Sequence, residues 1–144
     1  MKFSTRGRYA LRAMIMLAEH YGDGPLTIRV ISEKQEISLK YLEAIMRTFA
    51  TAGLVISAKG KSGGFILAKN PAEISMADIL KTSEGTLSPV PCLDNPEICA
   101  LKEGCKSMKM WKGLKEVTLK YLESISLRDI AVQEMARHFQ DYQD

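Results

Sequence analysis

Apolar residues recur every three or four positions along the first third of the chain, which is the spacing of helices with one buried face. The pattern predicts a helix over residues 8–22, a short helix from Thr27 to Lys34 and a third helix from Leu39 to Ala52. Thr27 and Ser38 stand where helix N-caps are needed, and Gly53 follows the third helix as a stop. Because only a few residues separate the second and third helices, this segment is typical of a helix-turn-helix.

Two short apolar runs follow, and their composition predicts β-strands. They cover residues 54–59 and 65–68 and flank a glycine-rich turn at residues 60–64. Three short helices followed by a glycine-tipped hairpin give the element order of a winged helix-turn-helix. We therefore predict a mainly α fold with a small β-hairpin wing.

A fourth helix and a long loop are predicted after the hairpin. Ser75 and Asp78 match a capping box, and the helix that they open ends near Gly85. Several prolines and all the cysteines of the chain fall within residues 86–105, which therefore predict a loop. We assign residues 1–85 to a DNA-binding domain and residues 86–105 to a cysteine-bearing loop.

The end of the chain predicts a long helix over residues 106–125 and a final helix that reaches Phe139, opened by a second capping box at Ser126 and Asp129. The long helix carries an apolar stripe, which would form either the seam of a homodimer or part of the chain's own core. We favour the dimer because operators with two-fold symmetry call for dimeric proteins. Residues 106–144 are therefore assigned to dimerisation. The stripe consists of Trp111, Leu114, Thr118, Tyr121, Leu122 and Ile125.

Positive charge is concentrated in the N-terminal half of the chain. Residues 1–70 hold eleven lysines and arginines against five acids, whereas the remainder holds nine against twelve. A basic module on a weakly acidic remainder fits nucleic-acid binding. No apolar run approaches the length of a membrane span and no signal-peptide core follows the N-terminus, so we expect a cytoplasmic protein with no membrane partner. No constellation of catalytic residues indicates an enzyme.

The recognition helix and the wing supply the candidate DNA contacts. A recognition helix meets base edges with its N-terminal residues, and a cationic, sterically small wing tip can approach the backbone or enter a minor groove. The alternative is an ordinary solvated helix face, which the attached wing makes less favoured. The predicted contacts to double-stranded DNA are Ser38, Lys40, Tyr41, Glu43, Arg47, Lys59 and Lys61, together with Arg8 on the first helix.

Glu43 is unusual on a surface that faces DNA, because phosphates repel a carboxylate. It is tolerated where it accepts a hydrogen bond, for example from cytosine N4, so it can reject operators that lack such a donor. The alternative is that Glu43 only pairs with Arg47, four residues further along the helix. The sequence leaves both roles open.

Three cysteines, Cys92, Cys99 and Cys105, fall within fourteen residues of the predicted loop. An odd, clustered set in an intracellular chain is not a disulfide framework. The Cys-x2-Cys pairs that zinc sites favour are absent, and wide spacing on a loop can wrap an iron–sulfur cluster. From spacing alone, a cluster, a thiol redox switch and a zinc site all remain open.

Several motifs resemble those of the IscR-type iron–sulfur cluster regulators. Residues 1–11 are similar to the opening of that family, residues 37–43 to its recognition helix, and residues 53–55 and 63–67 to its wing. The resemblance spans almost the whole chain and implies a winged-helix homodimer. For such a dimer, the basic excess of residues 1–70 predicts binding to an inverted-repeat operator. The resemblance also implies one iron–sulfur cluster per subunit, typically 2Fe-2S, held by the three cysteines, and control of iron–sulfur biogenesis genes.

The chain departs from that family at the fourth cluster ligand. Met108 replaces the expected histidine three residues after the third cysteine, and a thioether is a poor substitute for imidazole. Arg8 replaces the acid that related nitric-oxide sensors carry on the first helix. The fourth ligand therefore stays open between a partner-subunit residue, an exogenous thiol or water, and three acids of the loop. These acids are Asp94, Glu97 and Glu103.

Two other functions stand beside a cluster-sensing regulator. One is a winged-helix regulator that senses thiol oxidation without any cluster. The other is a metal-carrying factor whose winged helix binds protein rather than DNA. A brown colour after anaerobic purification separates the cluster sensor from the thiol sensor, and DNA binding separates both from the third function.

Overall fold

Six α-helices and one two-stranded hairpin form the part of the chain described by the computed structural model, residues 1–61 and 63–133. The strands β1 (Val55–Ala58) and β2 (Gly64–Leu67) pair in antiparallel fashion. The predicted mainly α fold with a hairpin wing is confirmed. The helices in chain order are α1 (Thr5–Glu19), α2 (Ile28–Gln35), α3 (Leu39–Thr51), α4 (Met76–Glu84), α5 (Met108–Ser124) and α6 (Leu127–Ala131).

Helix α1 begins earlier than its apolar pattern predicts. Ser4 caps the helix by accepting a hydrogen bond from the Gly7 amide at 3.0 Å. The same serine donates from its amide and its hydroxyl to the Glu84 carboxylate, at 3.0 and 2.6 Å. Apolar spacing alone misses this start because the first turn of the helix is polar. The cap also ties the beginning of α1 to the end of α4.

Both predicted capping boxes are present in the structure. Ser75 and Asp78 exchange hydrogen bonds at the start of α4, and Ser126 and Asp129 do the same at the start of α6. These reciprocal bonds satisfy amides that a helix start leaves without partners. The predicted extension of the last helix to Phe139 is wrong at its beginning, because α6 ends at Ala131 and Gln133 takes a φ of +57° that no helix continues through. The rest of that extension, from residue 134 on, lies outside the described residues.

The residues after the cysteine loop complete the core of the winged helix. Across a short antiparallel bridge, the Met76 amide donates to the Ile125 carbonyl at 2.9 Å, and the Leu127 amide donates to the Ile74 carbonyl at 2.7 Å. Helix α6 then packs against α1. Both ends of the chain's described part therefore share one core. Its largest fully buried side chains are Met14, Ile31, Leu42, Ile45, Met46, Phe49, Ile74, Ile79 and Leu127.

Helix α5 packs along α4 but buries no residue completely. Of the predicted apolar stripe, Ile125 is buried in the core and Tyr121 and Leu122 contact it, so this end of the stripe belongs to the chain's own core. Met110, Leu114 and Val117 are 53%, 39% and 57% exposed, and their spacing places them on one side of the helix. We call these three residues the α5 face. Among the described helices, none has the length and apolar character needed to cross a bilayer.

Candidate nucleic-acid interface and cysteine loop

Helix α3 buries its apolar side and presents a polar side to solvent. Ser38 caps the helix by accepting a hydrogen bond from the Tyr41 amide at 3.3 Å. Lys40, Glu43 and Arg47 are exposed on the side opposite the buried residues. The structure therefore leaves all five predicted contacts of α3 open to a partner. The buried residues of the helix are Leu42, Ile45, Met46 and Phe49.

Glu43 and Arg47 face a groove between α3 and the wing. Ile28 at the start of α2, together with Ser57 and Phe65 of the hairpin, also lines this groove. Among the described residues, no ion pair joins Glu43 to Arg47. The intrahelical pair that would give Glu43 a purely structural role is therefore not formed.

Backbone contacts hold the wing against the segment that precedes α2. The Leu26 amide donates to the Phe65 carbonyl at 3.0 Å, and the Phe65 amide donates to the Leu26 carbonyl at 2.7 Å. Gly64 has a φ of +144°, and a Cβ there would stand 2.1 Å from the Leu26 oxygen. Only glycine fits so close an approach. Lys59 and Lys61 are exposed in the turn that this anchored hairpin carries.

Arg8 is exposed on α1, and its guanidinium donates to the Thr5 hydroxyl at 3.2 Å. The described part of the chain gives it no acidic partner. The next residue, Tyr9, contacts Tyr41 of the recognition helix through their rings. Arg8 therefore lies next to the place where α1 meets the start of α3.

A set of contacts links α1, α2 and α3 next to Tyr41. It involves three residues that the sequence patterns do not single out: Tyr9 and Arg12 of α1 and Gln35 of α2. The Arg12 guanidinium lies 5.5 Å from the centre of the Tyr9 ring and donates to the Gln35 side-chain oxygen at 3.0 Å. The sequence signal is the spacing of Tyr9 and Arg12, which puts them one helical turn apart. That spacing does not reveal the partners, because Gln35 and Tyr41 belong to other helices.

Two 3-10 turns, Pro91–Leu93 and Pro96–Ile98, shape the cysteine loop between α4 and α5. Cys92, Cys99 and Cys105 are each half-buried and free of disulfides. Within residues 1–61 and 63–133, no three His, Cys, Asp or Glu side chains gather closely enough to hold a metal ion. The structure therefore places the three thiols on one loop without assembling them around one point.

Asp94 fastens the cysteine loop to α5. Its carboxylate accepts hydrogen bonds from the Ser88 hydroxyl at 2.5 Å, the Thr86 hydroxyl at 2.7 Å and the Lys115 ammonium at 3.2 Å. The bonds from Ser88 and Thr86, with a smaller contribution from Lys115, lower the pKa of Asp94 to about 2. The carboxylate therefore stays ionised at neutral pH. We call this set of contacts the Asp94 clamp.

Two of the three acids proposed as the fourth ligand are engaged in other contacts. Asp94 belongs to the clamp, and both carboxylate oxygens of Glu97 lie 2.7 Å from the Lys102 ammonium. Glu103 is exposed, and Met108, the first residue of α5, is half-buried.

Cys105 has the most distinctive thiol environment of the loop. Its sulfur lies 3.4 Å from the Ser107 hydroxyl. Hydrogen bonding by the Ser107 side chain, followed by the backbone amide of the same residue, lowers the pKa of the thiol. A lowered pKa favours the thiolate, which is the form that binds metals and reacts with oxidants.

A comparison of the sequence with models of known protein families agrees with the winged-helix element order. The model of the Rrf2 family, described as "Iron-dependent Transcriptional regulator", matches residues 3–133. This chain belongs to the Rrf2 family. The assignment accounts for nearly all of the described residues.

Relatives of this Rrf2-family chain include regulators with two different names. The HTH-type transcriptional regulator CymR of Bacillus subtilis is 35% identical over 131 residues, which cover 91% of this chain and 90% of that protein. The HTH-type transcriptional regulator IscR of Xenorhabdus nematophila is 32% identical over 144 residues, which cover 100% of this chain and 87% of that protein.

A solved structure gives the same picture of the fold. The structure of CymR (YrzC), the global cysteine regulator of B. subtilis, matches this chain with a TM-score of 0.79 and 34% sequence identity. The match covers 92% of this chain and 98% of that one. This Rrf2-family protein is accordingly a DNA-binding transcription regulator.

Proposed function

We propose that this regulator senses the state of an iron–sulfur cluster and controls genes of iron–sulfur cluster biogenesis. The observation that carries the proposal is a set of three free thiols, Cys92, Cys99 and Cys105, on the loop that leads directly into α5. Similarity to IscR over the whole chain supports it, as does the description of the family as iron-dependent. The expected cofactor is one 2Fe-2S cluster per subunit.

The chemistry of the donor set fits such a cluster. Iron–sulfur clusters are held by thiolates, and the lowered pKa of the Cys105 thiol favours that form. When bound, the cluster would supply a redox-active centre, and the chain would supply three of its ligands. Because Asp94 and Glu97 already hold hydroxyl and ammonium groups, we expect the fourth ligand to come from Glu103, the partner subunit or solvent.

The DNA-binding part of the proposal rests on the open side of α3 and on the wing. Lys40, Arg47 and the polar residues near the helix start would meet the major groove, and Lys59 and Lys61 would contact phosphates. Arg8 would add a contact from α1. Glu43 would select among operators, since it is not paired with Arg47.

The α5 face supports a homodimer. Met110, Leu114 and Val117 expose an apolar stripe on the longest described helix, and such stripes are typical of protein interfaces. Pairing the face with its copy in a second subunit would bury it. Such a dimer would present two recognition helices to the two halves of an inverted repeat.

The test of cluster binding is a visible absorption spectrum of anaerobically purified protein, with iron and sulfide measured per subunit. We expect a brown protein with about two irons and two sulfides per subunit. Cys92→Ala, Cys99→Ala or Cys105→Ala should each bleach the protein and leave it dimeric. Met108→Ala is the matched control, because a thioether binds iron weakly, and it should keep the spectrum. A colourless wild-type protein with three reactive thiols contradicts the proposal.

A thiol-sensing regulator without a cluster is the second candidate. Similarity to a protein described as the global cysteine regulator of B. subtilis favours it. In this case two of the three cysteines would form a disulfide on oxidation and alter operator binding. Mass spectrometry of oxidised protein, with operator affinity measured before and after oxidation, identifies this behaviour.

A further inference from the structure

An aromatic contact joins α1 to the first turn of the recognition helix. The rings of Tyr9 and Tyr41 meet edge to face, with centroids 5.8 Å apart and planes at 82°. Tyr9 is half-buried and packs on the core, whereas Tyr41 is 37% exposed. Aromatic pairs prefer this arrangement. One ring is therefore fixed by the core, and the other is held at the surface where α3 is expected to meet DNA.

Arg12 connects the same tyrosine to the turn of the helix-turn-helix. Its guanidinium lies 5.5 Å from the centre of the Tyr9 ring, in a cation–π contact. It also donates to both the side-chain and the main-chain oxygen of Gln35, the last residue of α2. A cation is favourable at a helix C-terminus, and the next residue, Glu36, turns the chain with a φ of +53°. Arg12 therefore supports the turn that sets the direction of α3.

We propose that Tyr9 and Arg12 are positioning residues for DNA recognition, which hold the Tyr41 ring in one orientation. The structure gives neither tyrosine hydroxyl a hydrogen-bond partner among the described residues. The Tyr41 hydroxyl is thus available to a base edge or a phosphate. A ring that is already held in its binding orientation loses less conformational freedom when DNA binds. The inference rests on the proposed use of α3 as the DNA-reading helix.

The test measures affinity by fluorescence anisotropy for a duplex that the wild-type protein selects from a randomised inverted-repeat library. Tyr9→Ala should weaken binding about two- to tenfold, the typical worth of an aromatic pair. Tyr9→Phe keeps the ring and should bind like wild type. Tyr21→Ala is the matched control, because Tyr21 is an exposed tyrosine beyond the other end of α1. It should leave the affinity unchanged.

Combining the variants separates positioning from a general loss of stability. In a Tyr41→Ala background, Tyr9→Ala should have no further effect on affinity. Tyr9→Ala and Tyr41→Ala should also lose their preference for particular bases at the same positions of the duplex. Arg12→Ala should lose base preference at those positions to a smaller extent.

Three outcomes would overturn the inference. If Tyr41→Ala leaves the affinity for DNA unchanged, Tyr41 does not contribute to binding and Tyr9 cannot act by positioning it. An equal loss from Tyr9→Ala in both backgrounds, with a lower melting temperature, would reduce Tyr9 to a structural residue while α3 remained the reading helix. A wild-type protein that selects no duplex would instead remove the DNA-reading role of α3, and this inference with it.

Discussion

The winged-helix region and the cysteine loop are held together by different forces. Residues 1–85 contain a continuous apolar core in which side chains such as Phe49 are fully buried. In residues 86–107 only Leu87 is buried, and polar contacts such as the Asp94 clamp fix the chain. Segments with few buried apolar contacts open at low cost. The surface proposed to read DNA is thus formed before any partner binds, whereas the loop is suited to respond to a bound group or to oxidation.

The largest effect that we expect is on the free energy of unfolding, and it is tested by replacing one apolar residue in each region. Phe49→Ala should lower the free energy of unfolding by about 3–5 kcal/mol, because it removes a ring from a packed core. Ile98→Ala in the cysteine loop should change it by less than about 0.5 kcal/mol, since Ile98 is 58% exposed. Urea unfolding of the two variants and the wild type makes the comparison. Equal losses would mean that the loop is as tightly packed as the core.

The second prediction concerns the wing, whose turn lysines contribute nothing to the core. Replacing Lys59 and Lys61 together by Ala should weaken operator binding and leave unfolding unchanged. The slope of log affinity against log salt should become shallower by about 0.9 for each phosphate that the wing no longer neutralises. Replacing Lys106, just before α5, and Lys109, in its first turn, is the control and should preserve the slope, since both lysines are exposed but lie outside the wing. If the wing variant also preserves it, the wing does not contact DNA.

The same division explains how much of the fold could be predicted from the sequence. Caps and capping boxes act within three residues, so Ser38, Ser75 and Ser126 could be assigned without tertiary information. The hairpin was equally visible from its apolar runs. The approach of Gly64 to Leu26 could not be anticipated, because it depends on how the wing packs against a distant segment of backbone.

For the candidate sites too, the sequence predicts local features but not contacts between distant segments. Apolar periodicity identified α3 and its open side, and the spacing of the cysteines identified the thiol loop. The sequence offered Asp94 as a cluster ligand, but its partner Lys115 lies 21 residues further along the chain on α5. Such a pairing has no local signature. Similarly, the edge-to-face contact of Tyr9 with Tyr41 joins residues 32 positions apart through packing alone.

The third prediction tests whether the Asp94 clamp holds the loop on α5. Asp94→Asn removes the charge that Lys115 contacts and weakens the bonds from Ser88 and Thr86. Backbone amides near residue 94 should exchange with deuterium faster, while the melting temperature stays near that of the wild type. Glu97→Gln is the control, since among the described residues the ion pair of Glu97 is with Lys102 of the same loop and does not reach α5. Faster exchange throughout α1 and α3 would show instead that the clamp supports the core.

The smallest change in stability is expected from replacing Glu43 by Ala. Because no ion pair joins Glu43 to Arg47 in the described structure, Glu43→Ala should hardly alter the melting temperature. Its carboxylate nevertheless lines the groove between α3 and the wing, where DNA lacking a suitable donor would leave it unpaired. The variant should therefore bind operators that the wild type rejects. A panel of operators differing at single base pairs measures this, with Glu73→Ala, another exposed acid, as control. Identical preferences for Glu43→Ala and wild type would exclude a role in selectivity.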